Sequence, residues 1–262
     1  RDNRICIGGI AGYTDGQINN CTIMSSSNIG AGSISVNSGI IKKDIYYVGG
    51  IAGYTKGAIT QCKVESNVKV KGGKIDHSNS KKIDKLLETY AGGLIGYKET
   101  NQEINDSFSA NCTVEGYDNV GGIIGFNAGG DINNVSFKGS LTGSGENIGG
   151  IVGCNTRGNI YNCINTVNIN VKGENVGGIV GCNYNANVVK CYNNAKVTGN
   201  KNVGGVIGVC YGGTIDYCGN NNEVTGKENE NYLNLFYNTA ANECTGTGGI
   251  TGKLYRAKAL HS

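Results

Sequence analysis

A five-residue phrase recurs eight times, and it constrains the fold more than any other feature of the chain. Gly8-Gly9-Ile10-Ala11-Gly12 returns at 49–53, 92–96, 121–125, 149–153, 177–181, 204–208 and, more loosely, 248–252. Successive starts lie 41, 43, 29, 28, 28, 27 and 44 residues apart, so the unit is about 28 residues with extra residues inserted at three places. A period of that length belongs to solenoids and related arrays, in which each unit contacts only its neighbours. Residues 1–262 therefore read as one repeat domain, although the length alone would allow two globular ones.

The units opening at Asn147 and Asn175 match best. Each places an apolar residue before the glycine pair and then runs to a cysteine, Ile148 to Cys154 and Val176 to Cys182. A polar bend follows, then a short segment ending at Cys163 or Cys191, then an alternating stretch such as Val167, Ile169, Val171. Alternation with period two over short runs marks strands, and the Gly/Asn clusters mark their ends. Three strands and three bends per unit predict an all-β parallel β-helix of about eight coils. The chain has 45 Gly and no Pro, which suits repeated corners and stacked strands that need every backbone N–H. A β-propeller is disfavoured, because a blade takes about 40 residues.

The period breaks at 24–47, 64–91 and 228–247. Within the second break, Ile83, Leu86 and Leu87 fall at helical spacing behind Ser80 as N-cap, so a short helix is expected over 80–88. This helix either covers the solenoid or recognises a partner, since insertions in repeat arrays often form the binding face. On the second reading Lys81, Lys82 and Lys85, with Tyr46, Tyr47 and Tyr90 beside the glycine pairs, are the candidate contact residues. The alternative for the tyrosines is an ordinary packed outer ladder. The third break reads as a cap on the last exposed edge.

Eleven cysteines follow the repeat. Cys163, Cys191 and Cys218 share one position, while Cys154 and Cys182 share another, with Cys210 shifted by one. Three readings stay open at this point: columns of buried thiols, within-coil disulfides (Cys154–Cys163, Cys182–Cys191, Cys210–Cys218), or a metal site. Rung-to-rung bridges would need distortion, because stacked Cβ atoms about 4.8 Å apart exceed the preferred ~3.8 Å. A metal site is disfavoured because the chain has no Cys-x-x-Cys.

Composition excludes several functions. The net charge is +3 with charges scattered, which argues against nucleic-acid binding. No apolar stretch approaches the ~18 residues of a membrane helix, so no direct membrane insertion is expected. The histidines are His77 and His261, so Ser–His catalysis and the zinc-peptidase motif His-Glu-x-x-His have no support. Carboxylates such as Asp15, Asp44, Asp106, Asp118 and Asp131 are dispersed, with no recurring pair for polysaccharide cleavage. No cofactor is implied, and the chain is expected not to be an enzyme.

The phrase Gly-Gly-Ile/Leu/Val-Ala/Val/Ile-Gly, followed by a turn and a polar–apolar tail, resembles the GLUG motif repeat of bacterial secreted and cell-surface proteins. Such repeats also occur in non-catalytic regions of IgA-cleaving metallopeptidases. The resemblance implies an extracellular β-solenoid segment and transfers no catalytic residue. Because the chain opens at Arg1 almost inside its first repeat, it is expected to be a fragment of a larger surface protein. The expected role is a structural and adhesive segment that binds a host protein or glycan through its insertions. The alternatives are a polysaccharide lyase or hydrolase on a β-helix, and a passive accessory domain of a secreted metallopeptidase.

Overall fold

The architecture comes from a computed structural model that describes residues 3–24, 28–30, 33–34, 44–65, 67–75, 87–99, 101–106, 108–109, 112–227, 244–245, 247–255 and 258–260. The described chain is all β, as the repeat predicts. One coil shows the plan. Strands Glu146–Gly149, Val152–Thr156, Ile160–Tyr161, Ile164–Asn165 and Ile169–Asn170 form five sides in succession. The expectation of three strands per coil is thus corrected to five. Three of the sides in this coil are only two residues long, too short for alternation to reveal them in sequence.

Corresponding strands stack in parallel and in register from coil to coil. The first side runs through 3–8, 44–49, 87–92, 120–121, 146–149, 174–177, 201–204 and 247–248, which gives the eight coils expected. Its last residue is always the leading glycine of the repeat: Gly8, Gly49, Gly92, Gly121, Gly149, Gly177, Gly204 and Gly248 are register partners in turn. A Cβ on Gly149 would lie 2.0 Å from the Val152 carbonyl oxygen and 2.7 Å from the Gly181 nitrogen. A Cβ on Gly153 would lie 2.6 Å from the Gly125 oxygen and 2.7 Å from the Val120 nitrogen. The first and second sides therefore fold back on one another, backbone against backbone, at a seam whose glycine positions admit no side chain.

Opposite this seam the wall lines the lumen. Val48, Ala91, Val120, Ile148, Val176 and Val203 form one buried column, and Ile51, Leu94, Ile123, Ile151, Ile179 and Val206 form the next. Corners take residues in the left-handed region. Asn119, Asn147, Asn175 and Asn202 open the first side, and Asn20, Gln61, Asp106, Asn134, Asn162, Lys190 and Tyr217 turn the third side into the fourth. Asn is the side chain best suited to that conformation, which explains its abundance.

The insertions divide differently from the spacing estimate. Asn28–Gly30 and Lys69–Lys71 belong to the fifth side, where they pair with each other. Beyond them, Ser33–Ile34 and Lys74–Ile75 pair as a separate two-stranded sheet, so the two insertions form one added ledge on consecutive coils. No helix occurs among the described residues, and Leu87 and Glu88, expected in a helix, open the strand Leu87–Gly92. Side-by-side pairing with Asp44–Gly49 claims these residues for the wall. Residues 76–86, including Lys81, Lys82 and Lys85, lie outside the described residues. From the third insertion, Cys244–Thr245 runs antiparallel along Thr251–Tyr255 at the last coil.

Candidate functional site

Side chains that stack in register form ladders, and the ladders carry the chemistry of this wall. On the outer seam, Tyr13, Tyr54, Tyr97 and Phe126 are register partners on the second side. Their rings stack, with centroids 5.3 Å apart for Tyr13–Tyr54, 5.2 Å for Tyr54–Tyr97 and 5.0 Å for Tyr97–Phe126. Tyr47 and Tyr90 from the first side stack at 5.2 Å and meet this column edge-on. Edge-to-face and offset pairs of this kind stabilise by about 0.5–1.5 kcal/mol each.

Two of the sequence-derived contact residues are therefore packing residues in this structure. Tyr47 is 5 % exposed, and burial pushes its hydroxyl up to about 12. Tyr90 is half-buried and donates to the Glu88 carboxylate at 2.8 Å; burial and that bond raise its hydroxyl well above the usual tyrosine range. Tyr46 is half-buried on the same strand, beside Thr89 in register. Tyr54 donates to the Glu99 carboxylate, which also sits 3.6 Å from Lys56.

The cysteines divide between the two faces of the wall. Cys154 and Cys182 are register partners on the outer seam, with Val209 next in the column. Cys163, Cys191 and Cys218 lie in the lumen core. All six candidate disulfide cysteines are free thiols, so the within-coil pairing is corrected. Cys154 and Cys163 belong to separate packed clusters, as do Cys182 and Cys191. Cys210 falls in the neighbouring register position, opposite Asn183, and its thiol donates to the Gly212 carbonyl at 3.4 Å.

The lumen thiols do structural work instead. Cys163 donates to the Tyr161 carbonyl at 3.0 Å, Cys191 to Val189 at 3.4 Å, and Cys218 to Asp216 at 3.4 Å and Val188 at 3.2 Å. Each thus satisfies a carbonyl at the corner it occupies. Burial holds the Cys191 thiol well above its ordinary pKa, and burial raises Cys210 to about 11. The hydrogen bond between Cys182 and Cys154, followed by burial, raises Cys182. These are protonated, unreactive thiols rather than nucleophiles. Among the described residues no group of three or more His, Cys, Asp and Glu is placed to hold a metal.

Amide ladders run beside the thiols. Asn127 Nδ2 donates to Asn155 Oδ1 at 2.9 Å, and Asn155 Nδ2 to Asn183 Oδ1 at 2.8 Å. A second buried ladder joins Asn165 to Asn193 at 2.8 Å and Asn193 to Asn220 at 2.7 Å. Carboxylates also bridge rungs: Asp131 Oδ1 accepts from the Asn159 backbone at 2.8 Å, and Asp118 Oδ1 from the Glu146 backbone at 2.7 Å. Among the described residues, one cation enters the lumen. Lys98 is fully buried at the ladder position preceding Asn127, and donates to the Gly129 carbonyl at 2.6 Å. Burial, partly offset by Asp131, lowers its ammonium pKa to about 8.

A rod of in-register rungs, glycine seams and polar ladders defines the class: a parallel β-solenoid. The particular family follows from the repeat itself. The GLUG motif matches three tandem segments, 116–142, 144–170 and 172–198, so this part of the chain is built of GLUG repeats. Each matched segment is one full turn of the solenoid; 144–170, for example, begins just before Glu146–Gly149 and ends with Ile169–Asn170. The same glycine register continues through all eight coils. GLUG is a non-catalytic repeat motif. No curated protein and no solved structure matches the chain.

Sequence reasoning missed the amide ladder and Lys98. A signal for them was present, because Thr55, Lys98, Asn127, Asn155, Asn183 and Cys210 all stand six residues after a leading glycine.

Proposed function

We propose that this chain is a stiff, non-catalytic adhesive segment of a bacterial extracellular surface protein, and that it contacts a host protein or glycan through its insertions. Eight coils at about 4.8 Å per rung make a core about 40 Å long. Backbone pairing joins every coil to the next on several sides, so bending costs hydrogen bonds on several sides at once. One observation carries the adhesive reading: the first two departures from the repeat pair with each other at Ser33–Ile34 and Lys74–Ile75. Independent loops have no need to pair. A ledge built from two coils presents a single surface, and the run Lys81, Lys82, Lys85 adjoins it in sequence.

The test is a host-protein and glycan array probed with the intact chain and with a variant whose residues 76–86 are replaced by Gly/Ser of equal length. The expected result is a partner retained by the first and lost by the second. A partner bound equally by both would refute the role of the ledge.

A further inference from the structure

The corner between the third and fourth sides changes character along the rod. At its outward positions the third side presents Asn19, Thr60, Asn105, Asn133, Tyr161, Val189 and Asp216 in register. The fourth side presents Thr22, Lys63, Ser136, Ile164, Tyr192 and Gly219. Among the described side chains, large apolar ones gather on this wall from the fifth coil onward. Ile164 is 40 %, Tyr192 41 % and Tyr217 51 % exposed.

Two local features go beyond simple exposure. Tyr217 holds φ +50 at a corner where the other six coils use Asn, Gln, Asp or Lys. A bulky aromatic in that region is strained by an amount of order 1 kcal/mol. Two residues on, Gly219 stands beside Tyr192. A Cβ there would lie 3.0 Å from Tyr192 Cδ1 and 3.2 Å from Cε1, so the missing side chain lets the ring lie over the backbone. The glycine makes room for an exposed ring, and the left-handed corner two residues before it carries another exposed tyrosine.

We propose that this wall, centred on Tyr192, Tyr217 and Ile164, is a platform for a neutral polysaccharide. The partner follows from the chemistry. Exposed tyrosine faces accept the apolar C–H face of a pyranose, while their hydroxyls and the exposed amides of Asn162, Asn194 and Asn221 match sugar hydroxyls. Charge is balanced: Lys190 shares the wall with Asp216, and Lys196 pairs with Glu223 at 3.1 Å. A polyanion or a basic peptide therefore gains nothing here by long-range attraction. Rungs about 4.8 Å apart form a flat wall along which an extended polymer can lie. The platform is separate from the ledge and holds or fails independently of it.

The test is affinity electrophoresis of the intact chain through gels containing a mixed-linkage β-glucan, xyloglucan, mannan or arabinoxylan, with polygalacturonate as the acidic comparison. At least one neutral polymer is expected to retard the chain. Tyr217→Asn places the residue best suited to a left-handed corner and is expected to melt at the same temperature or higher. It should nevertheless weaken binding at least about tenfold, the scale of losing one aromatic anchor. Tyr192→Ala should do the same, whereas replacement of 76–86 should leave the retardation unchanged. Retardation by polygalacturonate alone, by no polymer, or to the same extent in both tyrosine variants would overturn the proposal.

Discussion

Replacing Lys98 with Asn should reverse the sign of its effect on stability between neutral and alkaline pH. Lys98 interrupts a ladder that otherwise holds Thr55, Asn127, Asn155 and Asn183 in register. Its ammonium is fully buried, and desolvation lowers the folded pKa from 10.5 to about 8. The depressed pKa means that the charged form destabilises the folded state by about 3.4 kcal/mol, at 1.36 kcal/mol per unit. Below pH 8 the lysine is charged in both states and the cost is present in full. Between pH 8 and 10.5 the folded protein releases a proton that the unfolded chain keeps, so stability rises with pH. By pH 10 the wild type recovers about 2.5 kcal/mol of the loss.

Asn at position 98 carries no charge and can donate to Asn127 Oδ1, which is buried and finds no hydrogen-bond partner among the described residues. Against this stand three lost methylenes, about 2.4 kcal/mol, and the bond to Gly129, about 1 kcal/mol. The new amide bond returns about 1 kcal/mol. Lys98→Asn is therefore expected to be more stable by about 1 kcal/mol at pH 7 and less stable by about 1.5 kcal/mol at pH 10. Urea unfolding of both proteins at the two pH values measures this, and other titrating groups cancel in the difference. A variant-minus-wild-type difference that stays constant with pH would refute the reasoning, because it would mean that Lys98 is solvated or already neutral.

Three further outcomes follow from the ladders. Gly149→Ala forces a Cβ to within 2.0 Å of the Val152 oxygen and should lower stability by more than about 3 kcal/mol, or prevent soluble expression, as read by thermal melting. Asn155→Leu removes a donor to both Gly158 and Asn183 inside the wall, and should cost about 2–4 kcal/mol in the same assay; a neutral result would mean the amide ladder contributes nothing net. For the cysteines, melting temperatures with and without reductant should coincide. A thiol-specific reagent at pH 8 should label Cys163, Cys191 and Cys218 only after denaturation, since they are buried; labelling in the folded state would contradict that burial.

The parts that were legible before any coordinates are those repeated on every rung. The glycine pair revealed the coil, its count and its phase, because the clash it avoids recurs at each seam. The Cys163, Cys191 and Cys218 column was equally plain, since equal spacing on a solenoid means vertical stacking. Side count was not legible: Ile160–Tyr161 and Ile164–Asn165 are two-residue strands separated by the left-handed Asn162 and by Cys163, and no periodicity survives over so short a run. The helix expected over 80–88 failed at Leu87 and Glu88, where pairing with Asp44 and Ile45 outweighed a local apolar spacing.

Period, phase and the polar character of the corners are properties of neighbouring residues, and the amino-acid order was sufficient to state them. Which face of the wall a side chain occupies is a property of the stack. Cys154 and Cys163 are nine residues apart, yet one packs on an outer seam and the other in the lumen. Tyr47 resembles an exposed contact residue until Tyr54, Tyr90 and Tyr97 from its own coil and the next close over it. The physical reason is the same in both cases. A coil bends five times within about 28 residues, so each side chain's environment is set by the rungs above and below rather than by the residues beside it.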